Sequence, residues 1–164
     1  MKEKNYVKLV YAALFAALVF VGTQFVRVPL PFGYFNLGDC FILLSAVFIG
    51  GPYAVAASAV GAVLADVLSG YVIYAPATAL IKSAMVLAVI LAMRIGARNT
   101  EAKRNWVFLS GAVIAELIMV CGYFLYDSVL YHFAGAVAAL PGNIAQGAVA
   151  VLASSIIVAV TKRR

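Results

Sequence analysis

Three ionisable residues, Asp66, Lys82 and Glu116, stand inside long apolar stretches of this chain. A charge within a bilayer costs several kcal/mol unless it is paired or hydrated, so each is a candidate for function. Asp39 and Asp127 lie towards the ends of such stretches. Asn143 and Gln146, at i, i+3 spacing, put two amides on one face of a helix. The chemistry these residue types perform together is recognition: charge from the carboxylates and the ammonium, and paired donors and acceptors from the amides for the edge of a heterocycle. Tyr74 and Tyr123 are placed to stack on a flat ring. They belong to a wider aromatic set with Tyr34, Phe35, Tyr71, Tyr126 and Tyr131, which fits an interfacial belt equally well. Asp66 and Lys82 fit an ion pair between neighbouring helices equally well. Glu116 has no basic residue near its depth except Lys82, and His132 reads as a solvated loop histidine.

Bond-breaking chemistry finds no support. There is no GxxxxGK[ST] phosphate loop, GxSxG elbow or HExxH pair, so neither ATP hydrolysis by this chain nor a hydrolase is indicated. Cys40 and Cys121 are isolated and read as small apolar packing residues. No metal site and no cofactor is expected.

The elements that position the polar set must be membrane helices. Of 164 residues, 66% are hydrophobic and 11% charged, and mean hydropathy is +1.07. A soluble domain keeps far more polar surface, so residues 1–164 read as a single membrane domain. The apolar run after Lys2, Lys4 and Lys8 lacks a small-x-small cleavage site and reads as a first transmembrane helix. Spans fit at 6–27, 38–50, 53–69, 75–96, 106–126 and 139–160, with Gly50-Gly51-Pro52 breaking the second from the third. The expected fold is all-α: an integral membrane bundle of six transmembrane helices with both termini cytoplasmic. Ten of the twelve basic residues fall in three short segments, at the start (Lys2, Lys4, Lys8), mid-chain (Arg94, Arg98, Lys103, Arg104) and at the end (Lys162, Arg163, Arg164). Six spans place all ten inside, as the positive-inside rule requires, and leave 27–37, 70–74 and 127–137 outside. The net charge of +6 thus reports topology, not a nucleic-acid partner.

At about 1.5 Å per helical residue, Asp66 lies roughly 6 Å below the outer boundary, Lys82 near 12 Å and Glu116 near 16 Å. Pro141-Gly142-Asn143 reads as the start of the last helix, with Asn143 and Gln146 in its first two turns. The polar set therefore occupies the outer half, which describes a cup and not a pore. Small residues at four-residue spacing, Ala12/Ala16 and Ala13/Ala17 on the first helix and Ala57, Gly61 and Ala65 on the third, permit close helix approach within or between molecules.

Taken in order, several segments resemble the substrate-binding S components of energy-coupling factor (ECF) vitamin importers. They are Asn36-Leu37-Gly38-Asp39; Leu64-Ala65-Asp66-Val67-Leu68-Ser69-Gly70-Tyr71; Tyr74-Ala75-Pro76-Ala77-Thr78 with Ile81-Lys82; Gly122-Tyr123-Phe124; and Pro141-Gly142-Asn143 with Gln146-Gly147. The resemblance implies a transmembrane coupling protein and two cytoplasmic ATPases as partners, and a location in the bacterial plasma membrane. It also implies a vitamin-type ligand (pyridoxine-like, hydroxymethylpyrimidine or riboflavin) under the outer loops, with Asp66, Tyr74, Lys82, Glu116, Tyr123, Asn143 and Gln146 as its site. Ala12, Ala13, Ala16 and Ala17 match the family's docking face. The competing expectation is a non-transporting structural or assembly protein whose polar groups only satisfy one another.

Overall fold

A computed structural model describes residues 2–29, 34–96 and 101–161. Helix α1 (Lys2–Gln24) leads into a two-stranded antiparallel hairpin, β1 (Arg27–Pro29) and β2 (Tyr34–Asn36), in which Val28 faces Phe35. Then follow α2 (Gly38–Phe48), α3 (Gly51–Leu68), a 3-10 turn (Val72–Tyr74), α4 (Ala75–Ile95) and α5 (Glu101–Thr161). Among the described residues, four helical stretches are long and apolar enough to cross a membrane, and α2 is a shorter apolar helix. Of the expected basic clusters, Arg98 and 162–164 lie outside the described residues.

The break between α2 and α3 falls where Gly50-Gly51-Pro52 predicts it. Gly50 and Gly51 both have positive φ, 63° and 60°, a backbone that residues with a Cβ adopt poorly, and Pro52 sits in the first turn of α3. Segment 27–37, which reads as a loop, pairs in part as a hairpin. Segment 127–137, which reads as an outer loop, is helical apart from a break at Tyr131 (φ −123°, ψ 15°) and His132 (φ 60°, ψ 173°). No proline or glycine occupies the break, so breaker chemistry did not locate it. The last limb therefore begins near 133, and Pro141 lies inside it instead of starting it.

At the break the chain folds back on itself. In an unbroken helix Glu116 and Gly147 would stand roughly 46 Å apart. Instead, a Cβ built on Gly147 would meet the Glu116 Cβ at 3.1 Å.

Packing relies on small residues. A Cβ on Gly61 would lie 2.9 Å from the Val19 Cβ and would collide with the Ala16 carbonyl oxygen, so α1 and α3 are in backbone contact there. Ala12 is buried and Ala16 half-buried on this intramolecular face, whereas Ala13 and Ala17 stay exposed. Between α2 and α3 the Ser45 and Ser58 hydroxyls bond at 3.0 Å. The core away from the hairpin is apolar, with Val19, Met85, Val89, Phe108 and Met119 fully buried. Outward faces are apolar too: Leu80, Leu87, Leu91 and Ile95 form one exposed stripe on α4, the surface of a helix solvated by lipid. Cys40 is buried as expected of a packing residue, but Cys121 is exposed.

Gly61→Val is expected to lower the thermal unfolding midpoint in detergent, by the equivalent of about 1–3 kcal/mol for an overpacked contact. Ala13→Leu should leave the midpoint unchanged. Equal midpoints for all three proteins would contradict the close approach of α1 and α3.

Candidate ligand-binding site

The hairpin, the 3-10 turn and the adjoining helix ends bring most of the polar set around one cavity. Its lining comprises Thr23 of α1, Asn36 of β2, Ala62 and Asp66 of α3, Tyr71, Tyr74, then Thr78 and Lys82 of α4. Tyr123 and Asp127 come from the first limb of α5, and Asn143 and Gln146 from the second. The space open to water-molecule centres is about 60 Å³.

At its floor lies a buried network. Lys82 Nζ donates to Asp39 Oδ1 at 2.5 Å, and Gln146 Nε2 donates to Asp39 Oδ2 at 2.6 Å. Gln146 Oε1 accepts from both the main-chain N (3.0 Å) and the Nδ2 (2.9 Å) of Asn36. Asn36 Oδ1 in turn accepts from the Gly38 N–H at 2.8 Å. Lys82 Nζ also lies 5.2 Å from the Tyr123 ring centroid, within cation–π range. The ion-pair partner of Lys82 is thus Asp39, not Asp66. Asp39 is fully buried within the protein.

Above the floor is a wall of tyrosines. The Tyr74 ring lies 6.2 Å from Tyr71, 6.3 Å from Tyr123 and 5.4 Å from Tyr126. Tyr74 Oη donates to Asp127 Oδ1 at 2.6 Å, Thr78 Oγ1 and Tyr123 Oη share a bond of 3.0 Å, and Tyr126 Oη donates to the Ile73 carbonyl. Several of these rings are therefore held by hydrogen bonds inside the protein, more than a loose interfacial belt requires. His132 is exposed and lies outside the lining.

Of the seven residues expected in a site, six line this cavity: Asp66, Tyr74, Lys82, Tyr123, Asn143 and Gln146. Glu116 is outside the lining. It is 5% exposed, packs against Gly147, and neither carboxylate oxygen has a hydrogen-bond partner. Asn36, Thr23, Thr78 and Asp127 were not singled out for the site. A solitary Asp39 at the head of an apolar run was the available signal for the floor. Its partners are 43 and 107 residues away in sequence, a separation that leaves no periodic trace.

The chain matches the model of the ECF-type riboflavin transporter S component family over residues 3–163. It belongs to that family. An uncharacterized protein in a gap 3' region of Pyrococcus woesei is 37% identical over 130 residues, which cover 78% of this chain and 83% of that protein. This S component is accordingly a multi-pass membrane protein of a transport system, from a family of substrate-binding subunits and not of enzymes.

Lys82→Met alone leaves the Asp39 carboxylate without its buried counter-charge and is expected to cost about 3–5 kcal/mol. Asp39→Leu combined with Lys82→Met should recover most of that loss. Thermal unfolding of both variants in detergent checks this, and a double variant no more stable than the single would show that the pair is not the unit of stability.

Proposed function

We propose that this S component captures a small, water-soluble nitrogen heterocycle, a vitamin or vitamin precursor, in the cavity beneath the hairpin and delivers it with an ECF module. The observation that carries this reading is a cavity lined by amides, carboxylates and hydrogen-bonded tyrosine rings at one end of a body whose other end is apolar. By volume the cavity holds about four to six water positions. A one-ring pyridine or pyrimidine suits that space better than a tricyclic flavin with its polyol chain. Asn143 and Asp66 address the ring's polar edge, and Tyr74 and Tyr123 its face. Lys82 and Gln146 form the floor through Asp39, while Glu116 supports it from behind.

In this reading α5, 61 residues long, crosses twice. Its length at about 1.5 Å per residue is roughly three times a ~30 Å hydrocarbon core, and its limbs fold back at Tyr131 and His132. Six crossings then put both termini in the cytoplasm and the cavity outside, in the plasma membrane. The partners are a transmembrane coupling protein and two ATPases. The docking face on α1 is the exposed pair Ala13 and Ala17, because Ala12 and Ala16 are engaged with α3.

Trp106 is 72% exposed and does not line the cavity, so calorimetry is the readout for ligand titration in detergent. Micromolar binding of a B-group vitamin or precursor is expected, weakened at least about tenfold by Asn143→Ala. A blank across the whole panel would overturn the assignment.

Replacing Ala13 and Ala17 together by Leu is expected to abolish uptake and assembly with the coupling protein while binding persists. Loss of binding with assembly intact would refute the docking role.

A further inference from the structure

A second hollow opens between α3 and α4, at the end of the bundle away from the hairpin. Gly51, Ala56 and Ala59 line it from α3, and Leu87, Ile90 and Arg94 from α4. It shares no lining residue with the ligand cavity. The space open to water-molecule centres is about 490 Å³, and Arg94 brings the one charge among the described lining residues. Away from Arg94 the lining side chains are apolar, so ordered water finds no partners there. Left unfilled, the groove would forfeit dispersion contact along both helices, and a hydrocarbon chain restores it.

The groove also has a direction. Arg94 is exposed at its mouth, where α3 begins, and no side chain caps that helix start. A guanidinium and the positive end of a helix dipole therefore share the mouth. Along α4, Arg94 to Leu87 is about 10 Å, which fits within one leaflet, half of the ~30 Å hydrocarbon core. Positive charge at the interface, with an apolar furrow running beneath it, is complementary to one anionic phospholipid.

The surroundings carry the same sign. Ten of the twelve bases but only two of the six acids, Glu3 and Glu101, fall by sequence position near the helix ends away from the hairpin. Bases stay in large excess there even with both acids paired. The ion pair among the described residues is Lys82 with Asp39, so no described acid neutralises Arg94.

We infer that the groove between α3 and α4 holds an anionic phospholipid, with its phosphate on the Arg94 guanidinium and an acyl chain along Ala56, Ala59 and Leu87. Guanidinium and phosphate match in bidentate geometry. The site is separate from solute capture and stands whether or not the cavity takes a heterocycle. In the six-crossing reading it draws its lipid from the cytoplasmic leaflet.

The test is the thermal unfolding midpoint of the full chain in detergent, titrated with phosphatidylglycerol or phosphatidylcholine of matched acyl chains. Glycerol phosphate serves as the tail-free probe. Phosphatidylglycerol is expected to reach half its effect at about fivefold lower concentration than phosphatidylcholine, and glycerol phosphate to have none. Arg94→Gln should lose that preference. Ala56→Phe, which fills the groove and leaves the charge, should lose it too. Lys8→Gln, removing an exposed base of α1 outside the groove, should keep it. Lipid-free midpoints show which of Arg94→Gln and Ala56→Phe folds, and the result is read on either. An absent preference, equal loss in Lys8→Gln, or glycerol phosphate acting as well as the lipid would overturn the inference. So would an Ala56→Phe protein that keeps the preference but no longer assembles with the coupling protein, which would assign the groove to a protein partner.

Discussion

The structure hinges on the ion pair between Lys82 and Asp39. Neither charge is tolerable in this interior alone, because the desolvation of either costs several kcal/mol. Together, with Gln146 filling the second Asp39 oxygen and Asn36 filling Gln146, the cost is distributed over a closed network. That network ties α2, α4, the second limb of α5 and the hairpin to a single register. Helix α2, with 11 residues, reaches only about half the hydrocarbon thickness, and the network holds its N-terminal end among the others.

From that anchor the molecule divides into two solvation regimes. Around the floor, polar groups from α2, α4, the second limb of α5 and the hairpin find partners across the bundle. Away from it, packing is by apolar side chains and by small residues that let α1 and α3 touch along their backbones. Since lipid is as apolar as leucine, this second half cannot be held by exclusion from water and depends on close van der Waals fit. An end held by directional bonds thus sits on a body whose outward surface is apolar.

Parts of this were legible in the residues. Gly50-Gly51-Pro52 marked a real break because positive φ and a first-turn proline are local requirements. Asp66, Lys82, Asn143 and Gln146 stand out because polar groups are expensive in apolar sequence, and Tyr74 and Tyr123 as rings able to stack on a flat ligand; the cavity collects all six. The break at Tyr131 and His132 was drawn too wide because hydropathy blurs boundaries and no breaker stands there. Glu116 is buried in an apolar stretch like the others but points to Gly147 and not into the cavity lining, a matter of helix rotation that spacing did not reveal.

Composition by itself determined that this chain partitions into a bilayer as helices, since an apolar solvent forces backbone groups to pair within each segment. It also determined which few side chains are costly enough to require a purpose. Tertiary structure alone decided who pairs with whom: Lys82 with Asp39, Asn36 with Gln146 across 110 residues, Ala16 with Gly61, and Ala13 and Ala17 left open. Those choices depend on how rods rotate and cross, which no local pattern encodes, because a helix of given sequence presents the same residues whichever neighbour it meets.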